Sequence, residues 1–314
     1  MKDLNTIYKT IYEFGDLKIL RLNQEDLDKV NKKMLLEFPV IQIYGKTPYG
    51  IYHSENVSFN QRVNFQKDAF EHIRSKKERK ALLKNYKYIE SMGIKISVKR
   101  ANLEDYRKFE ELYNQTIVLK QRFKNISLKE QVLSKIDGGL DVFFINATQK
   151  DELLSSLAFY IRKTSGKKKV YITVRANKEI KELRSGLVGI LEVELLKFCI
   201  QKKISEISHG ISFNPTGLLA PTGIWEFKTR YGNSPFPAGM FLSTYIKSRQ
   251  ISLSKDILFL TIGNNDLEYT IVCDDNKRNE YKSRYLTKYV NKVRFISWQK
   301  VEDDYKRFLQ NIND

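Results

Sequence analysis

The sequence has little cysteine and little histidine. Two cysteines, Cys199 and Cys273, stand far apart in 314 residues. That excludes a disulfide framework and a cysteine metal knuckle, and it fits a reducing compartment. Three histidines, His53, His72 and His209, are scattered singly. Neither an HExxH motif nor a histidine–cysteine cluster is present, so no metal site and no histidine-centred triad are expected. Long apolar runs are also missing: ILFLTI at 257–262 is among the longest, well short of the roughly 20 residues that span a bilayer. The opening MKDLNTIYKTIYEFGDLK mixes charges throughout and has no apolar h-region. No secretory signal is read there, and the expectation is a cytoplasmic protein without a transmembrane segment. YGKTPYG at 44–50 looks like the tail of a P-loop, but Val40 stands where the first glycine belongs. It reads as a turn.

Positive charge is what the sequence has in excess: 55 Lys and Arg against 37 Asp and Glu, a net +18. Such an excess points to an anionic partner, whether nucleic acid, a phosphorylated co-substrate or an acidic surface. A composition rich in Lys, Ile, Asn and Tyr gives the same excess with no partner. The distribution is uneven. Residues 72–100 carry ten Lys or Arg and two Glu, and residues 276–300 carry eight against one. The second stretch, YKSRYLTKYVNKVRFISW, interleaves aromatics, which suits phosphate tracking with base stacking. It equally suits a surface helix whose Tyr, Val and Phe face a core.

Periodicity gives the order of elements. Strands are expected at 17–22 and 40–45 with a helix at 25–38 between them, a β-α-β rhythm, followed by a long basic helix from Asp68 to Met92. GIKISVKR alternates as a strand, and NLEDYRKFEELYNQTIVLK repeats its apolar residues as a helix. SLKEQVLSKI opens with a Ser127–Glu130 capping box. Strands at 141–147, 153–163 and 169–175, parted by TQKDE and TSGKKK, predict an antiparallel meander. RSGLVGILEVELLKFCIQKK (184–203) is apolar on a broad face and reads as a buried helix. A strand at 204–210, a helix at 222–231 and a strand at 240–247 follow. The tail adds two strands and a basic helical end. The linear organisation expected is an N-terminal lobe (1–93), a central domain (94–247) and an extension (248–314).

Three stretches, in this order and spacing, resemble the GNAT acyltransferases, in particular the branch of FemABX-type aminoacyltransferases and related acetyltransferases. They are SKKERKALLKNYKYIESMGIKISVKRANLEDYRKFEELYNQT (75–116), LRSGLVGILEVELLKFCIQKKISEISHG (183–210) and GIWEFKTRYGNSPFP (223–237). The resemblance implies an α/β fold of the α+β kind: a mixed, mostly antiparallel sheet flanked by helices, with residues 1–93 as a degenerate first lobe of a double arrangement. It implies an enzyme that moves an acyl or aminoacyl group from an activated donor to an amine, with no tightly bound cofactor. The co-substrate is an aminoacyl-tRNA or an acyl-CoA.

In such a fold the central strands splay, and the helix at 185–203 aims its N-terminus into the gap, an anion seat. Gly186 and Gly189 would let a donor approach the backbone, Arg184 could pair with a phosphate, and Ser185 could cap the helix. Equally, both glycines could serve helix packing. CoA-using relatives carry Arg/Gln-x-x-Gly-x-Gly/Ala here. This chain has Leu183 and Val188 in one register and Gly186 in the basic position in the other. That departure tilts the donor toward aminoacyl-tRNA. In FemABX-type enzymes a lysine after an aromatic is implicated in catalysis, which maps onto Phe227 and Lys228, with Arg230 as a further donor-binding cation. Lys228 would stabilise the charge that forms as the amine attacks. Against this, Trp225, Phe227 and Tyr231 could be core contacts, with Lys228 and Arg230 in solvent. His209 is the candidate general base. The alternatives kept open are a CoA-dependent N-acetyltransferase acting on a small molecule or envelope precursor, a non-catalytic RNA-binding protein of the same fold, and a peripheral membrane enzyme.

Overall fold

Consecutive apolar residues such as Phe144 and Ile145, both fully buried, mark strands covered on both faces. A computed structural model, describing residues 10–14, 17–116, 128–164, 166–183, 186–212, 222–248, 257–262, 267–285 and 292–312, builds the expected meander from them. Strands β5 (Lys95–Arg100), β6 (Asp141–Gln149), β7 (Glu152–Thr164) and β8 (Lys167–Asn177) pair antiparallel in sequence order. Helix α5 (Gly186–Gln201) then leads to β9 (Glu206–Ser212), which lies parallel to β8.

Two compact units interleave along the chain, one of residues 59–210 and 227–234, the other of residues 1–58, 211–226 and 235–314. These do not follow linear segments divided at 93 and 247. In the first unit the strand order is β4-β9-β8-β7-β6-β5, with β4 spanning Ile51–Arg62 and contributing its last four residues. One face of this sheet packs Ile145, Leu157 and Phe159 against α5 and α2 (Lys76–Ser91). The other packs Phe144 and Ala158 against α3 (Leu103–Thr116).

The basic helix expected from Asp68 to Met92 is broken. Ala69–His72 forms a separate 3-10 turn under an Asp68–Glu71 capping box, Ile73 is extended, and Ser75 caps a new start by accepting from the Glu78 amide. The Ser127–Glu130 capping box lies outside the described residues. After it the chain makes a π-turn (Lys129–Leu133) and a short helix, α4 (Ser134–Asp137).

In the second unit β1 (Thr10–Phe14), β2 (Leu17–Leu22), β3 (Val40–Tyr44), β10 (Ser234–Ile246) and β4 are neighbours in that order. β2 and β3 run parallel, giving the β-α-β rhythm. The helix expected at 25–38 is a 3-10 turn (Gln24–Lys29) and the short α1 (Lys32–Leu35), because Val30 is extended and Asn31 caps anew. A three-stranded sheet follows, formed by β11 (Ile257–Ile262), β12 (Leu267–Val272) and β13 (Lys292–Ile296). The tail is thus less helical than expected: between α7 (Arg278–Tyr285) and α8 (Trp298–Gln310), KVRFI pairs parallel with β12. The fold class is as expected, a mixed and mostly antiparallel architecture flanked by helices.

Phe159 sits at the centre of the first unit's core, fully buried, with ring centroids 5.4 Å from Phe143 and 5.2 Å from Phe198. Phe159→Ala should cost about 3–5 kcal/mol, read as a lower urea midpoint at unchanged slope.

Candidate active site

Sheet alternation would send Val170, Ile172, Val174 and Ala176 to one face. They divide instead: Val170 and Ile172 lie in the cluster with α5, Val174 and Ala176 in the cluster with α3. The cause is a β-bulge. Ala158 pairs with Val174 and its neighbour Phe159 with Ile172, so Thr173 is the extra residue, its hydroxyl donating to the Ala158 carbonyl at 3.0 Å. Beyond a bulge the side chains change face. Arg175 is thereby sent to the α5 side. The β8–β9 pairing recorded ends at Tyr171–Ser208, one residue before His209.

Three elements place charge at this point. Helix α5 is apolar almost all round, with Leu187, Ile190, Leu191, Val193, Leu195 and Leu196 buried. Among them is Glu192, 2% exposed, its Oε1 paired with Arg175 Nη2. The same Arg175 Nη2 lies 3.0 Å from His209 Nδ1. Arginine can only donate, so Nδ1 accepts and the ring hydrogen resides on Nε2. From α6 (Thr222–Arg230), Lys228, 4% exposed, donates from Nζ to the His209 carbonyl at 3.0 Å and lies 4.9 Å from the Phe59 ring centroid. The Lys228 carbonyl in turn accepts from the Asn233 amide at 3.0 Å and from its Nδ2 at 2.9 Å. Buried His209 Nε2 and Arg175 Nε have no hydrogen-bond partner among the described residues. Both are N–H donors.

The charges are coupled. Burial raises the Glu192 carboxyl, against the pull of Arg175 and Lys228. Burial first, then Arg175 and Lys228, hold His209 well below the usual imidazole range. Burial and then Arg175 bring Lys228 down to about 7, with Glu192 opposing. Two cations face one carboxylate, so the cluster favours an added negative charge. Its edge is Arg175, whose side chain is 22% exposed and whose guanidinium carbon lies 5.9 Å from the Phe227 ring centroid.

The residues expected to act are only partly brought together. Lys228 and His209 meet, and Lys228 is buried among aromatics rather than exposed. The aromatic beside its ammonium is Phe59; Phe227 lies under Arg175 and 4.6 Å from Tyr231. His209 spends its free lone pair on Arg175, so in this state it offers a hydrogen rather than taking one, which counts against a general base. Trp225 and Tyr231 are core residues, 2% and 1% exposed. Arg230 is exposed, with Nη1 3.6 Å from Glu78. Arg184 and Ser185 lie outside the described residues.

Of the two glycines, Gly189 has a packing cause. A Cβ there would sit 2.2 Å from Tyr231 Oη and 2.8 Å from Leu82 Cδ2. Gly186 opens α5 at φ +60° with nothing near its missing Cβ, so its backbone is the more approachable. Among the described residues no group of three or more His, Cys, Asp or Glu is placed to hold a metal ion, and no helix is long and apolar enough to cross a membrane.

Arg175 and Glu192 were not anticipated from the sequence. Glu192 carried a signal, a carboxylate amid the apolar residues of a helix expected to be buried. Arg175 carried none, since its facing depends on the bulge.

Lys228 holds its proton more weakly in the folded chain, at about 7, than its ordinary 10.5. Folding therefore sheds a proton between these values, and the Lys228 contribution to stability rises with pH through that window and is lowest below about pH 7. Lys228→Met should gain most in unfolding free energy relative to the native chain at or below pH 7, by a few kcal/mol. The difference should shrink toward pH 10. Urea unfolding across pH 6–10 checks this, and a pH-independent difference would contradict it.

No protein-family model matches the chain, and no curated protein matches it. Solved structures similar to it include the L-PGS of Bacillus licheniformis, at 12% identity and a TM-score of 0.40 over 76% of this chain and 80% of that one. FemX is 11% identical with a TM-score of 0.43, over 74% and 82% of the two chains. A GCN5-related N-acetyltransferase of Anabaena variabilis is 12% identical with a TM-score of 0.35, over 82% and 69%. At these identities and scores the likeness assigns no activity to this chain.

Proposed function

We propose that the chain is an acyltransferase that moves an acyl or aminoacyl group from an activated ester or thioester to an amine, with aminoacyl-tRNA favoured over acyl-CoA as donor. The observation that carries the reading is the buried Lys228 ammonium, held on the His209 carbonyl at 3.0 Å, in a cluster where His209 Nε2 and Arg175 Nε lack an acceptor among the described residues. In acyl transfer the neutral amine attacks the carbonyl carbon and a C–N bond forms. The carbonyl oxygen becomes an oxyanion. The C–O or C–S bond then breaks, the leaving oxygen or sulfur takes a proton, and the amine nitrogen loses one. Donors preorganised in a dry site stabilise the oxyanion. A lysine that titrates near 7 also suits the proton traffic, giving a proton to the leaving group and recovering the one the amine sheds.

Three features favour the RNA donor. Leu183, where the CoA pattern has Arg or Gln, is 5% exposed and apolar, so it offers a pyrophosphate nothing. Gly189, which the other register of that pattern would use, is filled by Tyr231 and Leu82. The net +18 suits a large polyanion.

The test follows amine-dependent deacylation of a pool of radiolabelled aminoacyl-tRNA and, in parallel, of acetyl-CoA, using hydroxylamine as surrogate acceptor. Aminoacyl-tRNA should be consumed faster than its spontaneous rate, and Lys228→Ala should slow this about 100-fold or more while tRNA binding persists. Consumption of acetyl-CoA alone would assign the thioester donor. An unchanged rate in Lys228→Ala would remove Lys228 from the chemistry.

A further inference from the structure

Helix α2 carries Lys76, Lys77, Arg79, Lys80, Lys84 and Lys87, and none of them makes an ion pair among the described residues. Four of these fall on one line. At 100° per residue, positions 76, 80, 84 and 87 lie within about 80° of one another, and all four are exposed. The buried residues Glu78, Leu82, Asn85 and Ile89 occupy the opposite side of the helix. The row runs about 16 Å with a positive charge roughly every 6 Å.

The acid nearest in sequence does not neutralise it. Glu78 is turned inward, 3% exposed, where it accepts from Tyr231 Oη at 2.9 Å. That bond also ties the first turn of α2 to the segment that follows Lys228, and the Arg74 amide donates to the Arg230 carbonyl at 3.0 Å. The cation row therefore starts beside the element that carries the candidate catalytic lysine and is held rigidly to it.

We propose that this row is a binding track for the phosphate backbone of the RNA portion of the donor, gripping the arm whose end bears the ester. The proposal rests on the aminoacyl-tRNA reading above. A line of evenly spaced charges suits a polymer whose own charge repeats, rather than one pyrophosphate. A membrane surface would call for apolar residues beside the lysines, whereas Leu82 and Ile89 of α2 face the core and Leu83 is the one large apolar side chain exposed between Lys76 and Lys87.

Binding of unacylated total tRNA to the full chain, followed across salt concentrations, tests the track. The quadruple variant Lys76→Gln, Lys80→Gln, Lys84→Gln, Lys87→Gln keeps the buried face intact, and circular dichroism confirms its fold. It should bind at least about tenfold more weakly at low salt, with the slope of log affinity against log salt reduced by about 3. The corresponding quadruple Lys→Arg variant should retain both. If the Gln variant binds tRNA with the native affinity and slope, the track is wrong while the donor reading stands. If the native chain itself fails to bind tRNA at low salt, the donor reading falls and takes the track with it. Loss of binding to phosphatidylglycerol vesicles in the Gln variant, with tRNA binding unaffected, would assign the row to a membrane surface and overturn the proposal.

Discussion

One buried carboxylate organises the first unit. Glu192 stands in a helix whose neighbours are Leu, Ile and Val, where an unpaired charge would cost several kcal/mol. It is tolerated because Arg175 reaches it, and Arg175 reaches it because Thr173 is an extra residue in β8. Remove the bulge and the guanidinium would face α3, leaving the carboxylate without the cation that is hydrogen-bonded to it. The same guanidinium fixes His209 as acceptor at Nδ1, which leaves the buried Nε2 hydrogen without a partner among the described residues. A local irregularity of one strand thus places the cation that meets groups on a helix and on a neighbouring strand.

Lys228 completes this arrangement and also unbalances it. Its aliphatic stem is packed, its ammonium is anchored on a backbone carbonyl, and burial together with Arg175 weakens its hold on the proton. A developing oxyanion would restore that hold. A group whose protonation is favoured by the charge the reaction creates is suited to acyl transfer, because it is strongest when the transition state needs it. No such coupling would arise from a lysine in solvent.

Strand and helix order was legible in the sequence wherever the period was clean: the meander from 141 to 177, the buried helix at α5 and the short α6 all sit where their patterns put them. The boundaries that moved did so for local reasons. Asn31 and Ser75 each start a helix that periodicity alone had run together with its neighbour. β10 begins at Ser234, well before the strand expected at 240–247, since Pro235 and Pro237 argue against a strand and its pairing with β3 begins only at Leu242. The site was half legible. Lys228 was marked by family resemblance and His209 by its place at the end of a strand, whereas Arg175 depends on a bulge that alternation cannot reveal, and Phe59 on a contact with a helix distant in sequence. Gly189 shows the converse error, a residue that reads as ligand-binding and is required by the approach of Tyr231.

The account stands or falls on the environment of the Lys228 ammonium. Its titration is directly observable by NMR in protein labelled with carbon-13 at lysine Cε, with the resonance assigned by its disappearance in Lys228→Arg. The account predicts a midpoint near pH 7, far below the ordinary lysine value of 10.5. A Lys228 resonance that titrates near the ordinary 10.5 would place the side chain in water and contradict it.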